Sequence, residues 1–308
     1  TKGNTSMENL KNIILDTDIG MDCDDAAALG VLIKAQRENK CVIRAIAAAT
    51  AREGAVSCVR SILNYYGAPE PALGKLKSTF LKCDYVNYYS KAAMDKFGFS
   101  DEADDAVKVL RKSLATSTEK ITLVTIGPLT NIADLLLSGA DEISPLSGVE
   151  LVREKVDEVF AMAGSFAGNY ADGNAFKEWN VLQDINAARV FCELCPVPAT
   201  FLPHEVGNKI FTDQPAADNP ITFCMRTFCE EWAKKPADGF RRESWDPVTC
   251  MIALDENDEK FVYSDCGKIA VNPDGMTVFT PDPNGKDRYV SVKSDLSAIE
   301  NELNEILK

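Results

Sequence analysis

The chain reads as an α/β protein with an open, mostly parallel, Rossmann-like sheet. Helices lie on both faces, and a small antiparallel β appendage sits near the C-terminus. Three observations predict this. Strand-like and helix-like stretches alternate along most of the 308 residues. The strand stretches are short continuous apolar runs, as strands buried on both faces must be. After about residue 258 the texture changes to alternating strands divided by turns. Residues 1–308 are therefore read as one domain, with a core over 12–257 and an appendage and final helix over 258–308.

The first element is Ile13-Ile14-Leu15, which runs into an acidic loop bearing Gly20, and a helix follows over 26–35. Residues 41–49 form a β-branched and small-residue strand, with a helix over 53–66. An amphipathic helix over 104–114 precedes a strand over 120–126, and another helix follows over 129–137. Strand 156–161, a long loop, helix 185–194 and strand 197–202 continue the alternation. The appendage holds strands over 268–271, 276–280 and 288–292, separated by Pro273-Asp274-Gly275 and Asp282-Pro283-Asn284-Gly285. A capped helix over 294–307 closes the chain. No internal repeat and no low-complexity segment interrupts it.

The net charge of −14 excludes nucleic acid and anionic membrane as partners, while leaving neutral small molecules open. No apolar run has the length of a transmembrane helix, and residues 1–11 lack the apolar segment of a signal peptide. Ten cysteines are scattered, mostly in apolar contexts such as Cys41, Cys58, Cys224 and Cys250. Cys192 and Cys195 form a lone C-x-x-C without a second pair or a neighbouring His. Reduced, buried thiols in a cytoplasmic protein are the expectation.

The acidic loop carries the chemistry. Asp16, Asp18, Asp22, Asp24 and Asp25 fall within ten positions, just beyond a strand end, where open parallel sheets place their sites. Carboxylates so crowded stay ionised only if a cation or protons offset their repulsion. An all-oxygen ligand set favours calcium or magnesium over zinc. Helix capping accounts for Asp24 or Asp25 but not for the others. An EF-hand is excluded, because position six counted from Asp16 is Met21 and position twelve is Ala27.

Residues 16–29 resemble the amino-terminal signature of the nucleoside hydrolases, usually Asp-x-Asp-Pro-Gly-x-Asp-Asp-x-x-Ala. Ile19 replaces the proline, and two extra residues separate Gly20 from Asp24-Asp25. The sugar-binding acid is Asp22 or Asp24, with Asp24 preferred because it keeps the acid pair against the helix. Leu123-Val124-Thr125-Ile126-Gly127-Pro128-Leu129-Thr130-Asn131 resembles the second signature, which implies that the Ile126 carbonyl binds calcium. Glu178-Trp179-Asn180 resembles the Glu-Phe-Asn segment, implying Glu178 on the ribose 5′-hydroxyl and Asn180 on the ring hydroxyls. A second 5′-hydroxyl ligand is Asn169 or Asn174, with Asn169 preferred. Ser244-Trp245-Asp246-Pro247-Val248 carries the calcium-binding Asp246, but Trp245 stands where the family commonly has a His. Where the family often has a sugar-reaching Asn, after the second strand, Thr50 or Arg52 substitutes or the contact is missing. The resemblance extends over 13–254.

The resemblance implies a calcium-dependent ribonucleoside hydrolase that frees base and ribose. Asp18, Asp25, Asp246 and the Ile126 carbonyl would hold calcium, and Asp16 would orient this group from behind. Asp18 would accept the proton of a calcium-positioned water, and Asp24 with Asn180 would grip the 2′- and 3′-hydroxyls. Trp179 and Trp245 are candidates for stacking on the base, against core packing as the plainer role. That tilts the expected substrate to purines or a broad range. His204, the one histidine, lies outside the matching position, and a lone His is more often structural. The implied assembly is a homodimer or homotetramer. Two other readings stand beside this one. A nucleoside-binding protein could have lost leaving-group chemistry along with the His. A magnesium-dependent phosphohydrolase would use Asp16 as nucleophile, but it leaves Glu178, Asn180 and Asp246 unexplained and lacks nearby phosphate-binding elements.

Overall fold

Strand Lys11–Thr17 lies inside the sheet, with Cys41–Ala48 on one side and Ile121–Thr125 on the other, all three parallel. The computed structural model describes residues 10–77, 81, 89–167, 176–293 and 295–308. Among these, an eleven-stranded sheet runs in the order Thr277–Pro281, Gly267–Val271, Asp287–Val292, Ala199–Leu202, Val156–Met162, Ile121–Thr125, Lys11–Thr17, Cys41–Ala48, Ala72–Lys75 and Asp104–Asp105. Phe261–Tyr263 pairs antiparallel with Asp287–Val292. From Asp287–Val292 to Asp104–Asp105 every pairing is parallel. The predicted α/β class holds, and the antiparallel strands extend one edge of the main sheet.

The apolar runs are continuous because both faces of the strands are covered. Ile13 and Leu15 pack into the layer of helices Asp24–Arg37, Ala55–Tyr65, Pro220–Phe228, Trp245–Leu254 and Leu296–Ile306. Ile14 points the other way, into the layer of Ala106–Thr116, Thr130–Leu137, Gly148–Lys155 and Ile185–Leu194. This is the period-two alternation of a strand with two buried faces. Chain direction across the sheet reverses at Lys11–Thr17, because the next strand in sequence goes to one side and Ile121–Thr125 to the other. A crevice for ligands opens beyond the carboxyl ends at such a point.

Several elements were not expected from sequence: strand Ala72–Lys75 and helices Tyr89–Phe97 and Gly148–Lys155. The helix expected over 104–114 begins later, at Ala106, because Asp104–Asp105 pairs with the short strand before it. Asp105 caps that helix by accepting from the Lys108 N–H. Neither Asp24 nor Asp25 caps the first helix. Cys23 occupies that position without a side-chain bond, and both acids fall in the first turn. The last helix is described over Leu296–Ile306, capped by Asp295, and Ser294 lies outside the described residues. Cys41, Cys58, Cys224 and Cys250 are buried free thiols, as expected.

Candidate functional site

The acidic loop starts where Lys11–Thr17 ends, and local hydrogen bonds shape it. The Thr17 hydroxyl donates to Asp25 and accepts from the Ile19 N–H. Gly20 takes a φ of 108°, a conformation that favours glycine. Its N–H donates to the Tyr89 hydroxyl, which in turn donates to the Asp22 carbonyl. The two extra residues of the loop are thus tied down by a helix 67 positions away.

Asp18, Asp25 and Asp246 come together, all buried, with one carboxylate oxygen of each within 4.8 Å of the others. Asp18 is held well above the usual carboxylate range, first by burial and then by repulsion from Asp25 and Asp22. Burial likewise pushes Asp25 up to about 7 and raises Asp246, whose neighbours Asp24 and Asp25 add to the effect. Asp25 Oδ2 is buried with no hydrogen-bond partner among the described residues. An orphaned carboxylate oxygen within an all-carboxylate cluster suits a hard divalent cation.

Glycine at 127 is what lets the second motif reach this cluster. A β-carbon there would lie 2.8 Å from Asp18 Cβ and 2.9 Å from its backbone nitrogen. The preceding carbonyl, that of Ile126, accepts from Asn180 Nδ2 at 3.4 Å. Asp16 turns elsewhere. It accepts from Thr125 Oγ1 at 3.0 Å and Asn131 Nδ2 at 2.8 Å, and it does not line the cavity. A carboxylate held by two side-chain donors and away from the cavity does not suit a nucleophile.

A cavity of about 830 Å³ opens over the cluster, and Asp18, Asp22, Asp24, Asp246, Ile126, Glu178, Trp179 and Asn180 all line it. Glu178 caps helix Trp179–Gln183. Its Oε1 accepts from the Asn180 N–H at 2.7 Å, and its Oε2 from Val181 and Gly164 at 3.1 and 3.2 Å. Burial drives the acid up to about 7 against those three donors. Asp24 and Asp22, both left open by sequence, separate clearly. Asp24 is buried and accepts from the Asp246 N–H at 3.0 Å, while Asp22 is paired with Arg242.

Trp179 is 53% exposed, which removes the core-packing role for it. Trp245 also lines the cavity, and its indole N–H donates to the His204 carbonyl at 2.9 Å. Gly207 makes room for that ring, since a β-carbon there would lie 2.4 Å from Trp245 Cδ1. Neither Thr50 nor Arg52 lines the cavity. Asn169 and Asn174 lie outside the described residues.

Sequence reasoning missed two groups on this wall, Arg242 and Phe228, and read His204, which also lines the cavity, as structural. The Arg241-Arg242 pair just ahead of Trp245-Asp246 was a visible signal for the first. His204 was visible as the lone histidine, but the cavity position belongs to it because strand Ala199–Leu202 ends there.

Residues 13–300 match the family described as inosine-uridine preferring nucleoside hydrolase. The non-specific ribonucleoside hydrolase RihC of Salmonella enteritidis is 32% identical over 133 residues, which is 41% of this chain and 43% of that protein. The match thus spans less than half the length of that relative. Among solved structures, the purine-preferring ribonucleoside hydrolase from Gardnerella vaginalis aligns with a TM-score of 0.72 at 18% identity, covering 96% of this chain and 98% of the other. The inosine-uridine preferring nucleoside hydrolase from Bacillus anthracis aligns at 0.67 and 18% identity, over 96% and 99%. At these identities the two structures speak for the fold.

Proposed function

The chain belongs to the nucleoside hydrolase family, and from that premise we propose that it is a calcium-dependent ribonucleoside hydrolase, folded as one domain and purine-preferring or broad. The observation that carries this reading is the meeting of Asp18, Asp25 and Asp246 within 4.8 Å, at a cavity also lined by Asp24, Glu178 and Asn180. Such a site offers an acid cluster for a cation beside hydroxyl-binding groups for a sugar.

Asp18, Asp25, Asp246 and the Ile126 carbonyl would hold the ion. When bound, calcium supplies charge neutralisation and a Lewis acid that eases deprotonation of water. Asp18 accepts the proton as water attacks the anomeric carbon, and the transition state has oxocarbenium character. Asp24 and Asn180 grip the 2′- and 3′-hydroxyls. Glu178, fixed by three backbone N–H groups, takes the 5′-hydroxyl, with Asn169 as the second ligand there. Trp179 and Trp245, which line the cavity, would stack on the base. Unpaired buried thiols fit a cytoplasmic setting, and the family resemblance supports a homodimer or homotetramer.

A non-catalytic nucleoside binder is the second reading, favoured by Trp245, which cannot protonate a departing base. Ribose release separates the two. The protein is incubated with adenosine, guanosine, inosine, uridine, cytidine and 2′-deoxyadenosine, with and without a calcium chelator, beside Asp18→Ala. Chelator-sensitive release lost in Asp18→Ala establishes the hydrolase. Calcium and nucleoside binding without release overturns it for these substrates.

A further inference from the structure

A row of rings and one cation forms a wall of the cavity. The His204 imidazole packs against Phe176 at 4.0 Å between ring centres and stacks on Trp245 at 5.4 Å, with 28° between planes. The Arg242 guanidinium then lies 5.0 Å from Trp245 and 5.1 Å from Phe228, and Phe228 stacks on Trp232 at 5.3 Å. His204, Trp245, Arg242, Phe228 and Trp232 all line the cavity.

The polar atoms of this wall are unequally committed. The Trp245 N–H is taken by the His204 carbonyl. Arg242 spends Nε and Nη2 on Asp22 and Nη1 on Glu243. Neither ring nitrogen of His204 has a hydrogen-bond partner among the described residues. Ring contacts with Phe176 and Trp245 hold the imidazole, so its free nitrogens keep a set direction at little entropic cost. Burial draws its pKa below 6.5, opposed by Glu205 on its own helix and by Glu243. Glu205 is already engaged by the Phe166 N–H, and Glu243 by Arg242. An uncharged imidazole with one N–H to offer results.

Building on the hydrolase reading, we propose that His204 donates a ring N–H hydrogen bond to an acceptor atom of the departing base and so sets which bases leave. In the step, the C1′–N bond breaks with its electron pair going to the base, and the water oxygen bonds to C1′. Asp18 takes the water proton and returns it to solvent, while the base takes up a proton from solvent. His204 ends as it began, having stabilised charge that exists only as the base departs.

The test compares His204→Phe, which keeps a stacking ring without a donor, with His204→Gln, which keeps an N–H. Each is assayed on the best nucleoside and on 4-nitrophenyl riboside, whose leaving group departs as a stable anion. His204→Phe is expected to lose about 100-fold in kcat on the nucleoside, with His204→Gln retaining more. Both should stay within about threefold of wild type on the nitrophenyl substrate. Equal losses on both substrates, or an undiminished nucleoside rate in His204→Phe, overturn the role. Wild-type protein that cleaves only the nitrophenyl riboside overturns it while sparing the glycosidase. Cleavage of neither removes the hydrolase reading and this role with it.

Discussion

Arg242 grips Asp22 along one edge of its guanidinium, with Nη2 2.8 and 2.7 Å from the two carboxylate oxygens and Nε 3.2 Å from one of them. The arginine is only 9% exposed. Asp22 belongs to the lengthened part of the acidic loop, so the insertion brings its own counter-ion and fastens the loop to the aromatic wall. Removing Asp22 leaves the buried guanidinium with Glu243 as its remaining ion-pair partner. Asp22→Ala is expected to lower the free energy of unfolding by about 2 kcal/mol in urea titrations, the scale of lost hydrogen bonds to a charged group. Asp22→Ala combined with Arg242→Met should be less destabilised than Asp22→Ala alone, because the buried guanidinium is removed together with its partner.

Ribose selectivity should follow Asp24 and not Asp22. A nucleoside without the 2′-hydroxyl leaves buried acceptors unpaired, a loss of about 1–3 kcal/mol, so 2′-deoxyadenosine is expected to react roughly 10- to 100-fold more slowly than adenosine in kcat/KM. Asp24→Ala should narrow that ratio towards one. A ratio unchanged in Asp24→Ala would move the contact to another residue.

Gly127→Ala tests whether the second motif serves the acid cluster. The added carbon would sit 2.8 Å from Asp18 Cβ, so one of the two backbones must give way. Calcium affinity is expected to fall about 10-fold or more by calorimetric titration, on the scale seen when support around metal ligands is disturbed, while the unfolding transition stays cooperative.

Glu178 gives the pH dependence a sign. Its folded pKa is raised from 4.5 to about 7, so its contribution to stability is complete below 4.5 and is lost as pH rises through about 7. Asp16, raised to about 7 by burial, acts in the same direction. Chelated protein is therefore expected to melt at a lower temperature at pH 8 than at pH 5, and Glu178→Gln should remove about 3 kcal/mol of that difference. A melting temperature flat between these pH values in chelated wild type would contradict the burial of these acids.

How legible the chain was depended on whether a residue's partners are near in sequence. Strands such as Lys11–Thr17 and Ile121–Thr125 showed themselves because both faces are buried and the apolar run is unbroken. Asp18 and Asp25 were legible from the strand, acidic loop and helix that hold them, and Asp246 from its family-like motif, and the structure gathers the three. Arg242 was not, because its pairing with Asp22 spans 220 residues and leaves no local pattern. Ala72–Lys75 is only four residues long, too short for alternation to register. Gly148–Lys155 did announce itself through Ser147 and Glu150, whose side chains form a capping box.

The bond from the Asp246 N–H to Asp24 joins positions 222 apart. No contiguous fragment short of that span contains both halves of the acid cluster. A growing chain on the ribosome therefore cannot close the acid cluster until helix Trp245–Leu254 has emerged.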